Sequence, residues 1–555
     1  MNSLKIISLG GFGQVTNNMF VYETERDILI VDCGVGFPTG EMLGVDLLIP
    51  DVSSLLPKKE KIRGIILSHG HDDHLGALPF ILPNFPNVPV FASRWALALA
   101  LEKLKERGMS ARLEEVGEGK KINLGNFSVE FVEVTHSIPE TLHLVIKTPI
   151  GVFYHAADFK LDLTPVMGKP TNQTLVRQYG EKGIFCLLSD CLRAERQGFT
   201  PSETKLEEVF EQEISDCPGK FLVTTMSSNI SRLKQAIDVS LRHNRKIVLV
   251  GRSVDKNVSL ALKMGYLKYP ENVFLTLEQI GKVPPSSLTL LVAGSQAQAG
   301  SALERIVAGE REIKIKPGDK VVFSTDYIPG NEVQIYTLID ELLHLGAEVI
   351  YADITSIIHV SGHGQAQDLK KLIEMTKPRY LLPIGGNLRH MIAYKKIALQ
   401  LGCKEQDILL PEDGQIVEFW ADGRVSLKKK VHTGTIMVDA LGVGDVGNVV
   451  LRDRQVLASE GIVVAIVQLE QVQLAGSQER VALTAEPDIV TRGFVYERES
   501  KALLSQAKQE VRKVVARQKT DEVRFLRRDL QETLERFFFS KTGRHPMVLP
   551  VIIGV

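Results

Sequence analysis

One short stretch of the chain carries most of the residues that could bind a metal. It runs from Ser68 to His74, reads SHGHDDH, and follows the apolar, strand-like run GIIL. In an extended segment, residues two apart point the same way, so His69 and His71 can share one metal. Asp73 and the final histidine lie past the turn and can face a neighbouring metal. Imidazole and carboxylate ligands together suit Zn²⁺, and also Mn²⁺ or Fe²⁺.

The alternative interpretation of this stretch is a polar loop with capping aspartates. A lone histidine would favour that loop, but three histidines and two aspartates within six residues favour a metal site. Two further candidates stand at strand ends: His136 closes FVEVTH, and Asp158 follows GVFYHA. We predict that they complete one cluster of ligands. His155 is interpreted as a strand residue or as a partner that orients a ligand.

The composition narrows the class of protein. A chain of 555 residues predicts two to four domains, and its hydrophobic and charged fractions are ordinary for a soluble globular protein. The formal net charge of -1 means that any nucleic acid must be met by a local basic patch. The five cysteines (Cys33, Cys186, Cys191, Cys217 and Cys403) form no CxxC pair, which predicts reduced thiols and no cysteine-type zinc site.

The amino terminus, MNSLKIISLGGFGQ, is typical of a first strand and a Gly-rich turn rather than of a signal peptide. No window approaches the roughly 18 apolar residues of a membrane span. We therefore expect a cytoplasmic protein without a membrane partner.

The order of elements predicts an α/β protein. Short β-type runs fill the chain from Leu4 to about Ile150, with a helix from Arg94 to Arg107. From about 201 to 352, strands and helices alternate in the manner of a parallel sheet. The segment 412–449 is rich in Gly and Asp and predicts turns and a linker. A small α/β unit closes the chain.

These motifs together resemble a known family. HGHDDH, HSIP, DFK and HVSGH are similar to the metallo-β-lactamase fold of the beta-CASP nucleases, and the chain more closely resembles the ribonuclease J family. DCGVGFPTGEMLGVDLLIPD, SSNISR, GRSVDKN, IPGNE and TRGFVYERE extend the similarity from Leu4 to Val555. So long an ordered series is much more specific than the histidine motif alone.

The resemblance implies a fold and its domains. The fold is a metallo-β-lactamase αββα sandwich with an inserted beta-CASP parallel-sheet α/β domain and a small C-terminal α/β domain. The expected boundaries are residues 1–205 for the first part of the metallo-β-lactamase domain, 206–352 for the beta-CASP domain, 353–425 for the return segment, 426–450 for a linker and 451–555 for a C-terminal dimerisation domain.

The resemblance also implies roles for the ligands. His69, His71 and His136 would hold a first Zn²⁺. Asp73 and His74 would hold a second, with Asp158 as the bridge. Two ions per subunit are expected, and Mn²⁺ is an alternative. The catalytic residues that the family implies are Asp73, Asp190 in LLSD and His363 in HVSGH.

The resemblance further implies that two segments contact RNA phosphate, and their chemistry agrees, since hydroxyls, backbone N–H groups and imidazoles at Gly-flexible turns suit an oxyanion. The alternative for His359 is a satisfied buried histidine. These implied substrate-binding residues are Ser227, Ser228, Asn229, His359, Val360, Ser361, Gly362 and His363.

The implied activity is metal-assisted hydrolysis of RNA phosphodiester bonds, in which a hydroxide held between two ions attacks phosphorus in line. The family cuts RNA endonucleolytically and trims it from 5′ to 3′, preferring a 5′-monophosphate, in rRNA processing and mRNA decay. A homodimer or homotetramer is expected.

Several positions depart from the family pattern. Gly385 stands where the family has a histidine ligand of the second metal, and Asn387 where it has an acid. His390 matches another family histidine and is not interpreted as a replacement. Gln14 stands for an acid, SQAQA (295–299) for SQGEP, and Cys191-Leu192-Arg193 for STN. These changes predict a weaker second site.

Three hypotheses follow. The first is an active metallo-ribonuclease. The second is a weakened or inactive RNA-binding subunit that assists an active paralogue, and Gly385 motivates it. The third is a small-molecule hydrolase, such as a lactonase, which the phosphate loops disfavour because a neutral ester carries no phosphate. The basic runs 428–430 and 524–528 could touch RNA, although a solvated charged face is the commoner meaning.

Overall fold

The computed structural model describes residues 3–310, 312–328, 330–355, 357–440, 442–474, 478–496, 500–517 and 523–554. The chain divides into two compact units: Met1–Phe37 with Leu47–Ile436, and Pro38–Asp46 with Met437–Val555. The second unit therefore includes a short segment from the first tenth of the chain, which the sequence did not predict.

Two sheets face each other in the first unit. Their strands are rich in β-branched and aromatic residues, and their facing sides form one apolar core that includes Phe20, Phe131, Leu144, Phe153 and Phe419. In order across the sheet, the first contains Val425–Lys430, Gln415–Trp420, Ser3–Gly10, Met19–Glu23, Ile28–Val31, Ile62–Ile66, Val90–Ala92 and Leu113–Glu115. The second contains Tyr380–Ile384, Cys186–Asp190, Gly151–Ala156, Thr141–Thr148, Phe127–Val134 and Lys121–Leu124.

Helices belong to the same αββα sandwich. A second apolar core joins the helices at 173–181, 366–376 and 388–400 to the second sheet. The helices of this part are Asp72–Leu75, Leu78–Ile81, Arg94–Glu106, Gln173–Glu181, Ala366–Thr376 and Leu388–Gln400. The predicted sandwich is confirmed.

An inserted domain follows the first sheet pair. Its six strands pair entirely in parallel, as the strand–helix alternation predicts, in the order Phe274–Leu275, Lys246–Val250, Leu288–Val292, Phe221–Thr224, Lys320–Phe323 and Glu348–Ile350. Apolar cores on each face of this sheet join it to its helices. These are Lys205–Ser215, Ile230–Arg242, Arg252–Met264, Ala302–Val307 and Glu332–His344.

The second unit is a small α/β domain. A long strand, Ile462–Leu474, pairs with three others, and one face of this sheet packs on the two C-terminal helices. The other strands are Gln478–Leu483, Asp488–Arg492 and Met547–Ile553, and the helices are Asn448–Glu460, Lys501–Arg517 and Val523–Thr542. Among the described helices, none combines the length and hydropathy that a membrane span requires.

The segment predicted as a linker, 426–450, is not one. Val425–Lys430 pairs with Gln415–Trp420 and forms the edge of the first sheet, so this sheet extends past the expected boundary at 425. Thr435–Asp439 is also a strand, and a helix begins at Asn448. Gly and Asp occupy the turns between these strands. Because such residues are typical of turns and linkers, the sequence did not indicate the short strands between them.

Candidate metal centre and phosphate loops

The candidate site lies where strands of both sheets end. Ile28–Val31 and Ile62–Ile66 are parallel neighbours in one sheet, and Asp32 and His69 follow them. In the other sheet, Asp158, Asp190 and Gly385 lie at the carboxyl ends of three parallel neighbours. Because the carboxyl ends of parallel strands meet at one edge, residues far apart in sequence arrive together.

Four predicted ligands form a compact set, which we call the four-ligand cluster: His69, His71, His136 and Asp158. The His71 Nδ1 atom lies 3.0 Å from His69 Nε2 and 3.1 Å from His136 Nε2. The Asp158 Oδ2 atom lies 3.6 Å from each of these Nε2 atoms. Tetrahedral Zn²⁺ with bonds of about 2.0–2.1 Å requires ligand atoms about 3.3 Å apart. The residues therefore fit a zinc-sized ion.

Asp158 also belongs to a second group, the three-ligand cluster of Asp73, His74 and Asp158. The His74 Nε2 atom lies 3.4 Å from Asp158 Oδ2 and 3.7 Å from Asp73 Oδ2. The grouping matches the predicted second site with Asp158 shared between the two. The described residues supply it with three ligands rather than four.

Burial sets the protonation of the four-ligand cluster. It holds the pKa of His69 and His136 well below the usual histidine range and lowers that of His71 to about 4. Three neutral imidazoles, each able to offer a lone pair, result. Burial opposes ionisation of Asp158, but His74, His363 and His69 outweigh it and hold the pKa of that carboxyl well below its usual range. These protonation states suit a cation.

Negative charge dominates the other side of Asp158. Burial acts against a proton on His74, yet the carboxylates of Asp158, Asp32 and Asp73 raise its pKa well above the usual value. Burial raises the pKa of Asp73 to about 6. Three carboxylates around one imidazole attract a cation, so the donor set of the three-ligand cluster also fits a metal.

Partners behind the ligands fix their orientation, and sequence reasoning missed most of them. The Asp32 Oδ2 atom lies 2.8 Å from His74 Nδ1, and Asp32 Oδ1 accepts a hydrogen bond from Ser68 N. The His136 Nδ1–H donates to the backbone oxygen of Gly362 over 2.8 Å. Each directs the opposite ring nitrogen toward the site, where His74 Nε2 also lies 3.2 Å from Asn18 Nδ2. His155, by contrast, lies in a strand and contacts Tyr22 Oη, as its strand interpretation predicts.

Asp190 and His363 form a pair beside the metal ligands. His363 Nδ1 lies 2.9 Å from Asp190 Oδ2, and its Nε2 lies 3.8 Å from Asp158 Oδ2. Burial disfavours a charged imidazole, but the two carboxylates raise the pKa of His363 to about 9. The ring is thus a cation at neutral pH that directs an N–H toward the site.

Gly385 faces the same space. A Cβ built on it would lie 3.9 Å from Asp190 Oδ1 and 4.0 Å from Asp158 Oδ1, with no other described atom within 4 Å. Its φ of 65° lies in the left-handed region that glycine enters without strain. A side chain at position 385 would point at the Asp158 carboxylate, which both clusters share, but glycine has no side chain.

His390 does not replace it. His390 Nδ1 accepts a hydrogen bond from Asn387 N at 3.1 Å and lies at the start of the helix Leu388–Gln400. Asn387 caps the same helix in a reciprocal capping box. Both residues therefore serve the helix terminus, which agrees with the expectation that His390 is not a ligand.

The other departures from the family lie mostly around the same turn. Gly385 N donates to Gly11 O, and Phe12 and Gly13 pair with Gly386 and Asn387. Gln14 donates to Asp413, a half-buried acid that the sequence did not single out and that also accepts from Ser8 Oγ and Phe12 N. Cys191 N donates to Ile384 O. Gln14, Cys191, Gly385 and Asn387 thus lie around one turn.

The predicted phosphate loop, 359–363, lies against this centre. Gly362 contacts His136, and Ser361 Oγ accepts a hydrogen bond from His363 N. Val360 is buried, and its carbonyl accepts from Arg232. His359 Nδ1 also faces Arg232, at 2.7 Å.

The predicted loop 227–229 precedes the helix Ile230–Arg242. Asn229 is buried; its side chain accepts from Arg232 N and donates to Glu203. It is a helix cap, so its amide is already engaged. Ser227 and Ser228 are half-buried beside it. In the SQAQA segment, Gln296 bridges to Thr325 and Asp326.

Several basic residues of the runs 428–430 and 524–528 form ion pairs with acidic side chains. Lys428 and Lys430 are exposed on an edge strand and pair with Glu418 and Glu412. Arg528 pairs with Glu532. The side chain of Arg524 lies outside the described residues. These pairings favour the solvated-face interpretation.

Comparison with family models covers nearly the whole chain. Residues 12–211 match the metallo-beta-lactamase superfamily, and 218–342 the beta-CASP domain of ribonuclease J. Residues 348–410 match the RNA specificity domain of Zn-dependent metallo-hydrolases, and 449–555 the ribonuclease J C-terminal domain. The matched models follow one another along the chain in the same order as the domains of the structure.

Curated relatives match over full length. The chain is 36% identical to ribonuclease J2 of Bacillus subtilis, covering 100% of this chain and 99% of that one. It is 33% identical to ribonuclease J 1 of Streptococcus pyogenes, over 100% and 98%, and 36% identical to ribonuclease J of Thermus thermophilus, over 99% and 95%. A crystal structure of a protein of unknown function from Enterococcus faecalis shares the fold, with a TM-score of 0.53 at 14% identity over 75% of this chain and 100% of that one.

Proposed function

Because the chain belongs to the ribonuclease J family of metallo-β-lactamase-fold nucleases, we propose that it is a metal-dependent ribonuclease that hydrolyses RNA phosphodiester bonds at the Asp158-centred site. One observation carries the proposal: the ligand atoms of the four-ligand cluster lie at distances suited to a tetrahedral ion. The loop 359–363 contacts this cluster through Gly362, which brings a phosphate-binding segment to the metal ligands.

Each part of the site has a task in the reaction. When bound, divalent ions lower the pKa of water and neutralise charge on the phosphoryl oxygens. The Asp73 carboxylate accepts the proton of the attacking water. The His363 Nε2–H donates to the phosphate, and on cleavage of the P–O bond its proton passes to the leaving oxygen. Asp190 holds the His363 ring in place over 2.9 Å.

The finer features of the activity are part of the proposal. We assign endonuclease and 5′-to-3′ exonuclease action, a preference for 5′-monophosphorylated RNA, and roles in rRNA processing and mRNA decay, in the cytoplasm. Zn²⁺ is the proposed ion because three neutral imidazoles and a carboxylate match its preferred ligands, and Mn²⁺ is the alternative.

Cleavage of an RNA labelled at either end tests the proposal. Purified protein is given 5′-monophosphorylated or 5′-hydroxyl RNA with Zn²⁺, Mn²⁺ or EDTA. We expect metal-dependent products that the double variant His71→Ala, Asp73→Ala does not form. His344→Ala, an exposed helical histidine, is the matched control and should cleave normally. Full binding of RNA without cleavage under any metal would rule out the catalytic function.

A second candidate function is that of a weakened RNA-binding subunit that assists an active paralogue. The open space beside Gly385, bounded by Asp158 and Asp190, favours it. The two candidates differ in metal content: a catalytic chain holds two ions per subunit during turnover, and a weakened one retains only the ion of the four-ligand cluster. Metal analysis of the purified protein, with and without added Zn²⁺, separates them.

Homodimerisation through the C-terminal unit is also proposed. In the strand Ile462–Leu474, Val463, Ala465, Val467 and Leu469 pack on the helices, and the opposite face carries half-buried Ile462, Val464 and Ile466. The neighbouring strand adds Leu549 and Ile553, each about half exposed at 50% and 49%. An uncovered apolar sheet face suits packing against the same face of a second copy.

Light scattering tests this assembly. The wild type should run as a multiple of 61.5 kDa, and Leu549→Lys with Ile553→Lys should run as a monomer. Leu163→Lys, at an exposed leucine of the first unit, is the control and should assemble as the wild type does. An unchanged mass for the double variant would exclude this face as the interface.

A further inference from the structure

Arg232 is a completely buried arginine with no unused donor. Its Nε and Nη2 atoms donate to the two oxygens of Glu203 at 2.8 and 3.1 Å. Nη2 also donates to Val360 O, and Nη1 donates to Ser324 O, each at 2.8 Å. The fifth N–H, on Nη1, points at His359 Nδ1 over 2.7 Å. A guanidinium carries five N–H groups, so every one is engaged.

This arrangement fixes the tautomer of His359. A guanidinium has no acceptor and stays protonated, so the nitrogen facing it must accept. The His359 Nδ1 atom is therefore unprotonated, and the single ring proton lies on Nε2. A proton on Nδ1 would oppose an N–H of Arg232 at 2.7 Å. The ring is held neutral, with one donor aimed away from the arginine.

The other charged groups around His359 act in the same direction or lie too far away to compete. Burial, Arg232, Arg193 and Lys160 lower its pKa well below the usual value, and the Ser324 carbonyl opposes them least strongly. The Asp326 carboxylate lies 3.6 Å from Nε2, beyond hydrogen-bond length, and pairs with Arg193 at 3.1 Å. Glu203 is occupied by the Arg232 guanidinium.

We infer that Arg232 is a positioning residue that presents His359 to RNA as a neutral Nε2–H donor to a phosphate oxygen. The inference rests on the proposed function, because it assigns the role of one residue in the phosphate loop. It gives the loop 359–363 two different histidines. His363 is paired with the Asp190 carboxylate, whereas His359 is paired with the Arg232 guanidinium and contributes a hydrogen bond without charge.

A measurable consequence is that the His359 contact does not vary with pH. A cationic histidine loses its attraction for phosphate as pH rises through its pKa, whereas a neutral donor does not. Because other groups in the site also titrate, the quantity to follow is a ratio of dissociation constants. Comparing a His359 variant with the wild type at each pH cancels the contribution of the shared groups.

The first experiment measures the affinity of the Zn²⁺-loaded full chain for a 5′-monophosphorylated, cleavage-resistant 2′-O-methyl RNA between about pH 5.5 and 8. In His359→Gln, the amide nitrogen replaces Nε2 as a donor. In His359→Asn, the amide oxygen replaces Nδ1 as the acceptor for Arg232 and the donor is lost. We expect His359→Asn to bind roughly 10-fold more weakly at every pH, and His359→Gln to stay close to wild type.

The pH dependence of this ratio distinguishes a neutral His359 from a charged one. A flat ratio of variant to wild-type dissociation constants supports a neutral donor. A ratio that grows for both variants as pH falls below about 6.5 would show that wild-type His359 gains charge, and would overturn the inference.

A second experiment keeps the inference testable apart from RNA. ¹⁵N spectra of histidine-labelled protein, with His359 assigned by its loss in His359→Gln, should show an unprotonated Nδ1 and a protonated Nε2 throughout this pH range. The opposite tautomer or a titrating ring overturns the role of Arg232. Failure of the wild type to bind RNA would instead overturn the proposed function and leave the tautomer result standing.

The arginine is tested by the double variant Arg232→Met, Glu203→Gln, which removes both buried charges together. The pKa of His359 should be higher in this variant than in the wild type, because the charge of Arg232 no longer opposes a proton on the ring, while burial still does. Arg242→Gln, an exposed arginine of the same helix, is the control and should behave as wild type. An unchanged His359 pKa and an unchanged Nδ1 tautomer in the folded double variant would contradict the inference; if that variant does not fold, the His359 variants and the spectra decide it alone.

Discussion

The two sides of Asp158 differ in completeness. The four-ligand cluster has three imidazoles and one carboxylate, with ligand atoms 3.0–3.6 Å apart in the measured pairs. The three-ligand cluster has one imidazole and two carboxylates, and the space where a fourth side chain would point is bordered by Gly385. The Asp158 carboxylate belongs to both clusters.

The difference follows from where the ligands come from. All members of both clusters come from the segment His69–His74 or from the strand ends at His136 and Asp158. Gly385 follows another strand, Tyr380–Ile384, in a turn whose backbone is hydrogen-bonded to Gly11 and Cys191. A metal site assembled from two segments can thus lose the contribution of one while the other keeps its geometry.

The largest effect is expected from His71→Ala. Removing a ligand of the four-ligand cluster should lower metal-dependent cleavage by roughly 1,000-fold, since loss of a partner behind a ligand alone costs about 10–100-fold. Elemental analysis should show a loss of bound zinc. The control is His344→Ala, and bound zinc at the wild-type level in His71→Ala would mean that the ion lies elsewhere.

Asp190→Asn should have the next largest effect. The amide keeps the shape but weakens the interaction that holds His363, so the maximal rate should fall about 10–100-fold. Zinc bound to the four-ligand cluster should be unchanged, because Asp190 is not one of its members. Loss of zinc in this variant would instead assign Asp190 to metal binding.

Gly385→His tests the incomplete side directly. An imidazole at this position should raise affinity for the second ion by about 10-fold or more, read by calorimetric titration of Zn²⁺. The left-handed φ costs a residue with a Cβ roughly 1–2 kcal/mol of stability. Gly385→Ala carries the same strain without a ligand and is therefore the matched control. Equal affinity for the second ion in the two variants would show that the missing side chain at position 385 does not limit binding of that ion.

The smallest effect is expected from Asn387→Ala. Losing the helix cap should reduce the free energy of unfolding by about 1 kcal/mol, measured by denaturant titration. Metal content should not change, because the Asn387 side chain caps a helix rather than binding an ion. A change in zinc stoichiometry would show instead that this position still serves the metal site.

Much of this arrangement was predictable because its signals are local. The spacing of His69 and His71 and the strand ends before His136 and Asp158 predicted that these side chains meet in one cluster, and strand–helix alternation predicted the parallel sheet. The linker prediction failed, because strands such as Val425–Lys430 are held by a distant partner, Gln415–Trp420, between dense turn residues.

The partners of the ligands were not predictable. Asp32 contacts His74, Gly362 O contacts His136, and Arg232 contacts His359, across 42, 226 and 127 positions. No periodicity links residues so far apart, and one of the three is a backbone carbonyl without a sequence signature. Asn229 is a converse case: its motif indicated substrate binding and gave no sign that its side chain caps a helix.

The hydrogen bond from His136 to Gly362 O joins a metal ligand to the phosphate loop. A Cβ on that glycine would lie 2.7 Å from the His136 ring, so the two groups cannot shift independently. If the proposed metal ligand and phosphate loop both bind, this contact couples the two ligands, and thermodynamic reciprocity requires the coupling to be equal in both directions. The factor by which RNA changes the affinity for zinc must then equal the factor by which zinc changes the affinity for RNA. Titrating zinc with and without RNA, and RNA with and without zinc, measures the same factor twice.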